Sequence, residues 1–188
     1  MVIDKIKVKN YKIFQEKTIH LNDNVNIFVG ENDAGKSTIL EIVNLITTGK
    51  INGYFIDRQI TANFFNYEVR KNYIENIKSG KYAELPEIMI EAYCKNKEDS
   101  EFRGTNNTLG EDCPGIAFYY TFNQDNADIY KRKLKEGEIL DIPLEFYKIE
   151  FIGFHGNSIT SKYLPFKVAT IDASKRDYNN LLNRFVSE

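Results

Sequence analysis

The chain has 188 residues, enough for one domain with a real buried core. Apolar residues make up 42% of it and charged residues 28%, which excludes the composition of a disordered chain. Its net charge of −2 offers no overall basic field, so any contact with nucleic acid has to come from a local patch.

The opening "VIDKIKVKN" sets Lys5, Lys7 and Lys9 on one face against Ile6 and Val8 on the other, which predicts a half-exposed strand. "KTIHL" follows as a second short strand and Asn22-Asp23-Asn24 as a turn. "VNIFV" reads as a third strand with the apolar density of a buried one, so a hairpin delivers the chain to Gly30. From Gly35 onward Ile39, Leu40, Ile42, Val43, Leu45 and Ile46 recur at helical spacing, and Gly49 and Gly53 stop the helix. So broad a stripe predicts packing on a sheet.

Residues 54–80 are mixed, and their second half predicts a helix ending near Ser79-Gly80. Beyond them the period changes. "PEIMIEAYCKN", "GIAFYYTFN", "PLEFYKIEFIGF" and "PFKVATID" predict strands separated by Gly, Asn, Asp and Pro clusters. The first alternates Ile88, Ile90 and Ala92 against Glu91, the pattern of a strand with one wet face. Residues 97–112 and 124–138 read as solvated connections, the charged tract 131–138 as an exposed face, and "SKRDYNNLLNRFVSE" as the start of a helix. No run approaches the roughly 20 apolar residues that span a bilayer, and "MVIDKIKVKN" is no secretory signal, so a cytoplasmic protein without membrane contact is expected. Cys94 and Cys113 are not spaced as a ligand pair, and neither lies near His20 or His155, so no zinc site is expected.

Gly30, Glu31, Asn32, Asp33, Ala34, Gly35, Lys36 and Ser37 match G-x-x-x-x-G-K-[ST] between a predicted strand and a predicted helix, the setting of a phosphate-binding loop. Glycine at 35 permits the backbone angles that turn successive N–H groups inward, and a side chain there would collide with a polyphosphate. Those amides and the helix N-terminus form an anion site. Lys36 is then the catalytic cation reaching the β and γ phosphates of ATP, Ser37 the hydroxyl ligand of Mg²⁺, and Thr38 a donor to the α phosphate.

"KNYKIF", the stretch "TIHLNDNVNIFVGENDAGKSTILEIVNLI" and the x-N-x-x-G-K-S form of the loop resemble the N-terminal lobe of ABC-type ATPases related to SMC and recombination-repair proteins. "ITANFFNY" and "GKYAELPEIMIEAY" are similar to the overcoming-lysogenization-defect (OLD) family of ATP-dependent endonucleases. The resemblance implies an α/β P-loop NTPase fold of the ABC type, with a mixed central sheet around the P-loop helix and an antiparallel β layer. Residues 1–188 would be the first lobe, followed in complete family members by a second lobe and a Toprim nuclease domain. It also implies dimerisation around ATP, through a second lobe or a homodimer, and DNA as partner of the complete protein. Asn32 matches the family's loop asparagine, and Lys12 a basic position that approaches the nucleotide.

The departures matter as much. No L-S-G-G-Q-like signature, Asp-Glu Walker B pair or switch histidine is found. "VATID" gives Asp172 the shape of a Walker B end, but Ala173 stands where a glutamate is expected; alternatively this is the Q-loop position, without its glutamine. ATP binding with little hydrolysis by this chain alone follows, because phosphoryl transfer needs several preorganised charges and an oriented water. Three readings stay open: the ATP-binding lobe of a DNA endonuclease in phage defence or DNA processing, an SMC-like repair ATPase head, and a nucleotide-gated interaction module without turnover. Asn96-Lys97-Glu98-Asp99 fits the guanine-binding N-K-x-D pattern, yet no D-x-x-G lies between it and the loop.

Overall fold

The computed structural model describes residues 1–80, 84–95 and 100–168. The first two predicted strands form as β1 (Ile3–Tyr11) and β2 (Phe14–His20), and they pair with each other across a tight turn in which Lys12 takes a left-handed φ of 48°. α1 (Lys36–Thr48) follows and ends at Gly49, whose φ of 68° and N–H to the Leu45 carbonyl make the left-handed C-cap that glycine favours. A small hairpin, β3 (Lys50–Ile51) with β4 (Tyr54–Phe55), leads to α2 (Tyr67–Lys78), capped by the Asn66 side chain on the Glu68 and Val69 amides. The rest is β5 (Ile88–Cys94), β6 (Arg103–Gly104), β7 (Cys113–Phe122), α3 (Ala127–Lys135), β8 (Tyr147–Gly153) and β9 (Ser158–Ile159).

Seven strands form one sheet in the order β2-β1-β5-β7-β8-β9, with β6 on β7, and every described pairing is antiparallel. The opening hairpin and the later strands are therefore one layer, and no parallel pair occurs among the described residues. Register puts Ile6, Val8, Ile90, Ala92, Ile116 and Phe118 on one face. Against that face α1 buries Ile42, Leu45 and Ile46, as its stripe predicts. Beside them Phe65, Tyr120, Phe122, Tyr130, Phe146 and Tyr147 stack edge to face or tilted, tying α3 to the sheet. Arg70 on α2 grips Asp141 in a two-pronged ion pair, which holds the Asp141 carboxyl below the usual carboxylate range.

Three expectations are corrected. β5 has no wet face, since all seven of its residues are buried. Its outer side is roofed by the 100–112 segment, and Glu91 there is 0% exposed. That carboxylate accepts from the Thr108 amide (2.8 Å) and hydroxyl (2.6 Å), from Tyr93 (2.6 Å) and, at 3.4 Å, from Tyr119. Burial and the Glu91 charge push the Tyr119 hydroxyl up to about 12, so it stays a donor at neutral pH.

The second correction concerns 124–138, where a helix, α3, stands in place of a loop: Tyr130 and the half-buried Leu134 lie a turn apart facing the core, while Lys131, Arg132 and Lys135 stay exposed. The third is the predicted buried strand at 25–29, which is not a strand. Val25, Ile27 and Val29 are 69%, 79% and 85% exposed, while Asn26 bonds back to Asn22 in both directions, at 2.7 and 2.9 Å. Among the described residues no strand pairs with this segment, so the expected hairpin of "KTIHL" with "VNIFV" does not form, and β2 pairs with β1 instead. Residues 165–168, the described part of "PFKVATID", carry no strand either; Asp172, the Asn96-to-Asp99 tetrapeptide and the terminal helix expectation lie outside the described residues.

Candidate functional site

α1 starts at Lys36 from Gly35, which has a φ of 91°. No side chain caps this end, so the first-turn amides remain the ones a helix leaves without partners of its own. The loop before it turns on itself through Ala34 N–H to the Glu31 carbonyl, with Asp33 at a φ of 64°, and residues 30–34 are exposed. Lys36 folds back over the loop, its Nζ donating to the carbonyls of Gly30 (2.7 Å) and Glu31 (2.5 Å). Ser37 is exposed on the outer side of the first turn, and Thr38 next to it is half-buried.

What surrounds Gly35 differs from the expectation that a polyphosphate alone demands glycine there. A Cβ at 35 would lie 2.2 Å from Ile13 Cδ1 and 3.0 Å from Phe14 Cζ, so the β1–β2 turn buttresses the loop from behind. Gly35→Ala would hold alanine in a left-handed conformation, at about 1–2 kcal/mol, and displace the Ile13 tip. The expected result is a thermal midpoint lower by roughly 3–6 °C; an unchanged melting curve would contradict the left-handed start of α1.

The same turn carries Lys12. Its ammonium pairs with Glu41 Oε1 at 2.5 Å and lies 4.9 Å from the centre of the Phe64 ring. Tyr11 donates to the same Glu41 oxygen at 2.5 Å, and burial, then the Glu41 contact, push that phenol well above its ordinary range. Lys12 is thus beside the loop's helix and engaged by a carboxylate. Glu41 and Ile13 were not singled out from sequence; the available signal was Glu41 lying four positions after Ser37, on the same helix face.

Elsewhere little competes as a site. The 640 Å³ cavity lined by Phe55, Arg58, Phe151, Ser161 and their neighbours lies at the opposite end of α1, where Ser161 packs on Gly49. Cys94 is a buried strand residue whose thiol is pushed up to about 12 by burial, and Cys113 begins β7. His155 sits in the turn after β8, edge-on to Phe102. Among the described residues no three His, Cys, Asp or Glu side chains gather as a metal cluster, and no helix is long and apolar enough to cross a membrane.

An α/β fold with G-x-x-x-x-G-K-S at the start of a helix packed on an antiparallel sheet is that of a P-loop NTPase. The chain belongs to the AAA ATPase domain family, whose pattern it matches over residues 1–184. It is similar to the DNA replication and repair protein RecF of Clostridium kluyveri, with 23% identity over 78% of this chain and 41% of that one. A shorter match, 40% identical over 27% of this chain and 14% of the other, is to RecF of Acetivibrio thermocellus. The chain spans less than half the length of these curated relatives. A solved structure from work on ATP-driven dimerization and DNA-stimulated activation of SMC ATPases aligns at TM-score 0.46 and 13% identity, over 87% of this chain and 75% of that one.

Proposed function

We propose that this chain is the ATP-binding lobe of an ABC-type ATPase that works on DNA, and that residues 30–38 hold the nucleotide. The observation that carries the reading is Lys36: its ammonium lies on two loop carbonyls at an uncapped helix start, where a triphosphate would replace neutral acceptors by charged ones. The amides of Gly35, Lys36 and Ser37 bind the phosphates, Lys36 neutralises the β and γ oxygens, and Thr38 reaches the α phosphate. The exposed Ser37 hydroxyl and the oxygens of a bound polyphosphate form a donor set suited to Mg²⁺. That ion, when bound, would offset charge on the phosphate oxygens.

The site is a shallow, exposed loop, so a second lobe or a second copy has to cover the γ phosphate before water can be oriented and turned over. Val25, Ile27 and Val29, alternating and bare immediately before the loop, support an intended strand partner in such a lobe. By likeness to RecF the setting is DNA repair or processing; the finer reading, control of an endonuclease of the OLD kind, rests on the sequence resemblance alone.

Titration calorimetry with ATP and Mg²⁺ tests the proposal. Micromolar binding with preference over GTP, and negligible phosphate release by the chain alone, are the expected results. Absence of heat on folded protein, or a clear preference for GTP, would overturn it.

A further inference from the structure

Two cations stand at the phosphate loop, and they are held differently. Lys36 rests on neutral carbonyls, Lys12 on the Glu41 carboxylate. The Lys12 backbone cannot move freely: its N–H donates to the Phe64 carbonyl and its own carbonyl accepts from Asn66 Nδ2, both at 2.8 Å. Its side chain is a flexible four-carbon stem, 30% exposed, and its chain neighbour Ile13 already touches Gly35. Glu41 lies one helical turn beyond Ser37 on the same face, so the two side chains leave the helix roughly 6 Å apart.

We infer that Glu41 is a positioning residue that locks Lys12 away from the loop, and that nucleotide binding draws the Lys12 ammonium from Glu41 to the polyphosphate. This rests on the reading that residues 30–38 bind ATP. A polyphosphate entering the loop meets repulsion from Glu41 and finds Lys12 already paired. Affinity is therefore set below what the two lysines would give if both were free. Tyr11 anchors the lock, because its hydroxyl keeps Glu41 Oε1 in place whichever partner Lys12 has.

The test is MgATP affinity of the whole chain as wild type, E41Q, K12A and the double variant, with K36A as control. Glu41→Gln keeps an acceptor for Tyr11 and removes the charge. It is expected to tighten MgATP binding about two- to five-fold, as for a partly exposed ion pair, with a melting temperature close to wild type. Lys12→Ala is expected to weaken binding by a similar factor, and E41Q in that background to recover less than half of its gain. Unchanged or weaker binding by E41Q, or a gain undiminished without Lys12, would overturn the lock while leaving the loop reading in place. No MgATP binding by the wild-type chain would remove the loop reading and the lock with it.

Discussion

Lys36→Ala is expected to lower MgATP affinity about 100-fold or more while leaving the fold intact. Each charge-assisted bond to a phosphate oxygen contributes roughly 1.5–3 kcal/mol, and losing two of them corresponds to a factor of about 100 or more in affinity. The free protein has little use for the side chain, since its described contacts are two carbonyls of its own exposed loop and no ion pair. Stability should then shift by no more than about 0.5 kcal/mol. Calorimetry and thermal melting on the same sample check both halves. Affinity within about tenfold of wild type would remove Lys36 from the site, and a large drop in melting temperature would make it a structural residue instead.

Much of this arrangement was legible in the residues because the periods are clean. Lys5, Lys7 and Lys9 against Ile6 and Val8 define β1, and the spacing from Ile39 to Ile46 with Gly49 behind it defines α1 and its end. What could not be read was the part decided by distant partners. Asn26 and Phe28 against Val25, Ile27 and Val29 look like a buried strand, yet a strand needs a neighbour to satisfy its backbone, and none pairs with it among the described residues. Glu91 in an apolar run suggests a wet face because the residues that satisfy it, Thr108 and Tyr119, are 17 and 28 positions away. α3 is hidden by its charges, with Ala127, Tyr130 and Leu134 marking its inner side over nine residues. The glycine-lysine-serine loop is readable as a motif, but its bracing by Ile13 and the pairing of Lys12 with Glu41 depend on the tight turn at Lys12, which nothing local announces.

The two faces of the sheet also separate stability from ligand binding. α1 and the loop occupy the face lined by Ile6, Ile90 and Phe118, whereas Glu91 holds the 100–112 segment on the other. A defect at Glu91 should unfold the domain more readily without touching nucleotide affinity in the molecules that remain folded, the converse of Lys36→Ala.

Glu91→Ala is therefore expected to reduce stability by about 3–4 kcal/mol. The substitution removes one acceptor group and strands several buried donors: the Tyr93 hydroxyl, the Thr108 amide and hydroxyl, and the longer contact from Tyr119. Each loses a partner where water has little access, and part of the 100–112 roof then has nothing to hold it against β5. Glu91→Gln should cost less, about 1–2 kcal/mol, because its amide oxygen still accepts while its NH₂ confronts donors. Urea unfolding at neutral pH measures both: the midpoint should fall in the order wild type, Gln, Ala, with a similar slope. Hydrogen exchange at the Thr108 amide should accelerate in the alanine variant ahead of the β5 amides, since the roof opens before the sheet does. Equal midpoints for all three proteins would show that this carboxylate is solvated, and the 100–112 segment would then be a free loop over a wet strand face.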